Sequence, residues 1–384
     1  MFIAQNGYTS VPGWTVFLPF YPLLIKVFSF SGLNFFWSGF LISQLSLIGA
    51  LFFLFKLLLL DFDISTTKRV LMALLIFPSS FYLGSVYSES LFLAVTIAAF
   101  YYARKKKWLF AALLAGFASI TRLVGVGVVA AIFIEYLFKN QPILNLKFFS
   151  QNRLGKLTVY LFLAVIFLSL LAFFFTSNFI FSGTVVTLLD FLTTGLIILS
   201  FIIVFLIFKF LLKHLDFRKL YSVNFVFVLF SLVPFSAYLV YQQTQFGSAL
   251  TFIHSESAWG RGLMFPGESI SQLLERIFLT PLSINEYTAR VYIRFLSFLL
   301  AAVCLVISYY KLRLSYTVFY LAAFLIPLFS GTIADFTRYI LVVFPMFIIL
   351  GFIKNELIQK LAVFISILLL SLFSILYINS YFFI

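Results

Sequence analysis

Five charged side chains and one tryptophan sit where chemistry at a membrane surface would need them. Glu89 lies in VYSESLF, Arg122 in ASITRLVG, Arg261 beside Trp259 in SAWGRG, and Asp335 and Arg338 in ADFTRY. Each borders an apolar run, where an ionisable group is costly and is a functional candidate by default. A guanidinium fork suits bidentate phosphate contact, so Arg122, Arg261 and Arg338 are candidate ligands for an anionic substrate. Glu89 and Asp335 are the catalytic candidates, because a carboxylate there can orient an arginine, accept from a sugar or take a proton. Trp259 offers an apolar platform for a sugar or lipid, and Gly260 and Gly262 let a ligand come close to the chain. Each residue also has a plainer reading. Glu89 could be a helix N-terminal charge or the partner of Arg122, and Arg122 could snorkel. Asp335 and Arg338, at i and i+3, could pair with each other, and Trp259 could be an ordinary interfacial residue.

The elements that must hold these residues are membrane helices. Of 384 residues, 63% are hydrophobic and only 10% charged, and the mean hydropathy is +1.14. Lipid accommodates that much apolar surface; a water-soluble core does not. The formal net charge is +14. It sorts by position and reads as a topology signal, not as an affinity for nucleic acid. Most of the 26 basic residues fall on one side of the layout, in groups around Lys68, Arg104–Lys107, Lys139–Lys156, Lys209–Lys219, Lys311 and Lys354, which makes that side cytoplasmic. Lys26, Arg122, Arg261, Arg276, Arg290, Arg294 and Arg338 then lie on the opposite face.

The expected architecture is all-α and polytopic, a single domain over 1–384 with an external loop at 243–290. Spans are drawn at 35–58, 70–87, 89–103, 108–121, 123–138, 157–176, 186–212, 221–242, 291–310, 314–331, 337–353 and 361–383. Residues 16–30 carry Pro19 and Pro22 and are read as an interfacial or re-entrant element. Ser85 and Glu89 would share a face if their helix is continuous. Cys304 is the lone cysteine and the two histidines are far apart, so neither a disulfide within the chain nor a metal site is expected. No cofactor is expected.

Several segments, in order, resemble bacterial relatives of PIG-V-type mannosyltransferases, within the GT-C class of membrane glycosyltransferases. They are IAQNGY at 3–8, FLPFYPLLI at 17–25, VYSESLF at 86–92, the run from Trp108 through Thr121-Arg122 to Gly125, WGRG at 259–262 and RYILVVFPMF at 338–347. The resemblance implies a GT-C-like fold in the cell membrane with its active face non-cytoplasmic. It implies transfer of a sugar, with mannose the expected one, from a polyprenyl-phosphate donor to a glycan, lipid or protein acceptor. Arg122, Arg261 and Arg338 would then contact phosphate or sugar, and Glu89 would orient substrate. The family's aspartate base precedes the IA..GY element, ahead of the position where this chain starts. The layout likewise expects one more helix before Met1, and Glu89 and Asp335 are the substitutes within the chain. A lipid-linked glycan flippase and a non-catalytic membrane protein are the competing readings. The first would place polar groups at mid-span, where Asp190 is the nearest carboxylate.

Overall fold

The computed structural model describes residues 1–8, 13–140, 222–279, 286–331, 333 and 335–379. The expected spans 157–176 and 186–212, with Asp190, lie outside the described residues. The chain divides into two compact units, Met1–Glu135 with Val223–Ile384, and Tyr136–Ser222. Within the second, the hydroxyls of Tyr136 and Ser222 hydrogen-bond at 2.8 Å.

The first unit is all-α among the described residues. In chain order its helices are α1 (Phe2–Asn6), α2 (Phe20–Ser29), α3 (Phe35–Leu58), α4 (Ile64–Leu75), α5 (Phe81–Gly84), α6 (Glu89–Arg104), α7 (Trp108–Ser119) and α8 (Gly125–Asn140), the last running on past Glu135. After the second unit come α9 (Val223–Leu229), α10 (Val233–Phe246), α11 (Thr251–His254), α12 (Pro266–Leu279), α13 (Glu286–Lys311), α14 (Leu314–Leu328), α15 (Phe336–Tyr339), α16 (Phe344–Gly351) and α17 (Glu356–Ile378). Four stretches are apolar and long enough to cross a bilayer by length and composition: Phe35–Leu58, Val223–Phe246, Tyr287–Lys311 and Glu356–Ile378. This is an all-α membrane protein.

The core helix is α6. It is apolar on every side, as a helix enclosed by others must be, and Phe92, Leu93, Ile97, Ala99, Phe100 and Ala103 are all fully buried. It packs between α3 and α7. Phe100 makes edge contacts with Tyr316 of α14 and Phe344 of α16, at ring-centroid distances of 5.2 and 5.3 Å. Small residues allow close approach nearby. A Cβ at Gly116 of α7 would stand 2.8 Å from the ring of Pro234 in α10.

Two expected spans are corrected. The segment 70–87 is not one helix: α4 ends at Leu75, Pro78 follows, and only the short α5 forms before Gly84. Proline removes a donor and crowds the preceding turn, so the backbone groups it frees need other partners. The Ser80 hydroxyl donates to the Leu74 carbonyl at 2.5 Å, and that of Ser79 donates to the Thr337 carbonyl at 3.0 Å. The segment 337–353 is likewise broken, into α15, a 3-10 turn at Ile340–Val342 and α16, with Pro345 in the first turn of α16 where its missing N–H matters least. The break before Glu89 also removes the proposed continuous face, and the Ser85 hydroxyl donates to the Phe81 carbonyl instead. The segment 243–290 carries the end of α10, α11, α12 and the start of α13.

At the far end of α6, Arg104 forms a two-pronged ion pair with Asp61, in the turn between α3 and α4. Arg313, just before α14, reaches Asp61 at 3.2 Å. Glu135 of α8 lies 3.9 Å from both arginines and accepts from the Ser315 hydroxyl at 2.5 Å. Four chain segments are tied together there. Burial would raise the Asp61 carboxyl, but hydrogen bonds from Arg104 and Arg313 outweigh it and hold it below its ordinary value.

Asp61→Asn should destabilise the protein by about 2 kcal/mol, between the values for exposed and fully buried pairs, because the site is largely but not wholly enclosed. Because the folded pKa is depressed, the wild-type advantage is complete above the unfolded carboxylate value of about 3.9 and fades as pH falls through the lower folded one. Thermal midpoints of the two proteins in detergent, measured from pH 7 down to pH 3, should therefore converge at the acid end.

Candidate functional site

Both helix breaks and the start of α6 meet at the other end of the helix, about 22 Å from Arg104 at 1.5 Å per residue. Glu89 opens α6 and has no solvent exposure. Its Oε1 accepts from Arg122 Nη1 at 2.6 Å and lies 2.9 Å from Arg338 Nε. Its second oxygen, Oε2, is buried without a hydrogen-bond partner among the described residues. Arg122 stands in the turn between α7 and α8, with Nη1 also 3.5 Å from the Ser88 hydroxyl. Arg338 belongs to α15, which the Pro345 break turns inward.

The loop bearing Arg261 is fastened at both ends. On one side Trp259 Nε1 donates to the Gly13 carbonyl at 3.0 Å, and its ring meets Phe17 edge-on at 5.8 Å. Thr15 and Ser255 hydrogen-bond at 2.5 Å. On the other side the N–H groups of Gly262 and Met264 donate to the carbonyls of Ser330 and Phe329, at 3.1 and 2.9 Å. Gly260, with φ at 66°, makes the left-handed turn between them, which a side chain would strain. The result aims Arg261 at Asp335, with which it forms a close ion pair, while Glu256 stands 3.7 Å away on the same loop. Burial pushes the Glu256 carboxyl up against the pull of Arg261.

One aromatic ring joins the two halves. The guanidinium carbons of Arg122, Arg261 and Arg338 stand 5.7, 5.9 and 5.8 Å from the centre of the Tyr339 ring. Arg338 also stacks near Tyr82 and Tyr87, at 5.8 and 5.3 Å. Three cations around one ring repel one another, and the electron-rich ring face together with Glu89 and Asp335 holds them there. The contacts engage only part of each arginine's donor set: Nη1 on Arg122 and mainly Nη2 on Arg261, while the Arg338 Nε stands 2.9 Å from Glu89 without hydrogen-bond geometry. Side-chain exposures of 11, 22 and 18% leave all three in reach of a ligand. The arrangement suits an anion with several acceptor oxygens. Among the described residues no three His, Cys, Asp or Glu side chains gather as a metal site.

The structure thus brings Glu89, Arg122, Arg261, Asp335 and Arg338 to one place. The i, i+3 pair of Asp335 with Arg338 does not form, because Arg338 turns to Glu89 and Asp335 to Arg261. Trp259 stays outside the cluster, half exposed, and braces the N-terminal stretch. Tyr339, Tyr82, Tyr87 and Glu256 are part of the site without having been singled out in the sequence. Tyr339 adjoins Arg338 and Glu256 precedes Arg261 by one loop, but aromatic residues are too common in this chain for a tyrosine to stand out. Comparison with protein-family models, with curated proteins and with solved structures found no match.

Glu89→Gln leaves two guanidiniums short of their counter-charge, so it should cost roughly 3–5 kcal/mol, more than Arg122→Gln, which leaves Glu89 still paired with Arg338. Unfolding midpoints in detergent give the order of the two. Equal or reversed losses would mean that Glu89 does not serve both arginines.

Proposed function

We propose that the protein transfers a sugar, mannose being the expected one, from a polyprenyl-phosphate-linked donor to an acceptor hydroxyl at the non-cytoplasmic face of the cell membrane. It would act as a GT-C-like hexosyltransferase built on about twelve spans. The reading rests on the motif resemblance together with one observation: three arginines from separate segments converge on Tyr339 with donors to spare. Sidedness follows from the basic block at Arg104–Lys107, which lies at the opposite end of α6 from Glu89.

In this reading the acceptor oxygen forms the new bond to the anomeric carbon as the bond from that carbon to the donor phosphate breaks. The electron pair leaves on the phosphate, where Arg122, Arg261 and Arg338 stabilise the developing charge. The acceptor proton goes to a carboxylate. Asp335, with 22% side-chain exposure, is the better placed, whereas Glu89 has none and acts by positioning Arg122 and Arg338. The prenyl chain lies in the bilayer between helices, which suits a site at helix ends.

The test is transfer of labelled mannose from mannosyl polyprenyl phosphate by membranes that carry the protein. Arg122→Ala should lower kcat/KM by about a hundredfold, the usual loss for one charge-stabilising donor. No transfer from this donor by a folded protein, or full activity in Arg122→Ala, would overturn the assignment.

A further inference from the structure

A second group of arginines lies between α12 and α13, away from Tyr339. On α12, residues Ser269, Gln272, Leu273 and Arg276 follow the i, i+3, i+4, i+7 spacing of one helix face. Ser269 and Leu273 of that face are buried, and the Ser269 hydroxyl donates to the Leu328 carbonyl at 2.7 Å, fixing α12 to the end of α14. On α13, Val291, Arg294 and Phe298 form the matching stripe. Val291 is 2% exposed, and Phe298 packs on Phe324 and Phe336 at 5.4 and 5.7 Å. Each helix therefore turns an arginine toward the other. The small open cavity between them, about 20 Å³ and so room for about one water, is lined by Ser269, Gln272, Arg276, Arg294 and apolar side chains.

The lining of this cleft holds two arginines and no carboxylate. Arg294 lies within electrostatic range of Arg276 and Arg290, which repel it, and of Asp335, which is already engaged with Arg261. Among the described residues neither Arg276 nor Arg294 forms an ion pair, and the Arg294 Nε is buried without a hydrogen-bond partner. The Arg294 guanidinium, the exposed Arg276 and the Gln272 amide offer charged and neutral donors to a phosphate at the mouth of this cavity. The outer side of α12 says where that phosphate comes from. Leu274 and Phe278, one turn apart, are 40 and 84% exposed on a helix whose other face carries Glu268, Gln272, Glu275 and Arg276, the pattern of a helix lying in the lipid interface.

We propose that the α12–α13 cleft binds the phosphate of an anionic phospholipid, through Arg276 and Arg294, with the acyl chains against Leu274 and Phe278. The site is separate from the Tyr339 cluster and does not rest on the sugar-transfer reading.

Native mass spectrometry of the full chain in detergent tests this, with phosphatidylglycerol, phosphatidylcholine and inorganic phosphate as probes. One phosphatidylglycerol should remain bound where phosphatidylcholine dissociates, and Arg276→Gln or Arg294→Gln should each weaken it about tenfold, the worth of one charge-assisted contact. Arg276 is exposed, so its variant tests the site without threatening the fold, and a Lys105→Gln/Lys106→Gln/Lys107→Gln variant should retain the lipid. Unchanged affinity in both arginine variants, or loss of the lipid in the lysine variant, would overturn the proposal. Displacement of the lipid by millimolar inorganic phosphate would overturn the lipid as the source of the phosphate.

Discussion

A carboxylate with no solvent exposure stays ionised among apolar helices only if cations and hydrogen bonds replace the water it has lost. Glu89 obtains a hydrogen bond and a cation from Arg122 and a second cation from Arg338, and that requirement shapes the surrounding backbone. Arg122 must lie in a turn between two helices, close to the first residue of α6. Arg338 must reach the same oxygen from a segment more than 200 residues away in the chain. An unbroken helix through 337–353 would continue along the bundle axis. The break before Pro345 lets α15 turn so that Arg338 and Tyr339 face Glu89. The break at Pro78 does the same for Tyr82 and Tyr87, which stand against Arg338.

Those breaks have a local cost, because each exposes backbone groups that a continuous helix would satisfy. The cost is offset within the site. The Ser79 hydroxyl caps the Thr337 carbonyl, Ser80 the Leu74 carbonyl and Ser90 the Leu83 carbonyl, each from a serine beside the interruption. Irregular backbone at membrane depth is tolerated where it is buried in protein or lines a cavity, and here it does so around the ion cluster. The cluster and the broken helices are therefore one structure: serine hydroxyls satisfy the freed carbonyls, and the breaks give the charges their geometry.

The charged residues were legible in the sequence because an ionisable group stands out in a chain that is only 10% charged. Positions such as Glu89 and Arg122 could be assigned to a common boundary from the basic block alone. Their pairings could not. The i, i+3 spacing of Asp335 and Arg338 suggested a partnership that the turn at α15 undoes, since local spacing is outweighed by a buried carboxylate across the bundle. The continuous spans at 70–87 and 337–353 were drawn from hydropathy, which measures apolar content and does not register a proline-induced change of direction. Asp61 and Glu135 went unremarked beside the cytoplasmic lysines, although they clamp Arg104 and Arg313. The tyrosines of the site were hidden by abundance, with 20 tyrosines and 56 phenylalanines in the chain.

The two ion clusters at the ends of α6 differ in a way that bears on what each is for. At the Arg104 end, two arginines meet two carboxylates, and a serine hydroxyl serves Glu135 as well. The charges balance and the contacts are reciprocal, which is what a structural clasp requires. At the Glu89 end, three guanidiniums share one tyrosine, their ion pairs leave donors over, and the Oε2 oxygen of Glu89 has no hydrogen-bond partner among the described residues. Buried ion pairs are a weak source of stability, and apolar residues of similar volume often do as well or better. A cluster that is both expensive to bury and incompletely satisfied is hard to explain by folding alone. Under the proposed reading, a ligand with anionic oxygens would take up the spare guanidinium donors, and a hydroxyl of its sugar would supply the donor that Oε2 lacks.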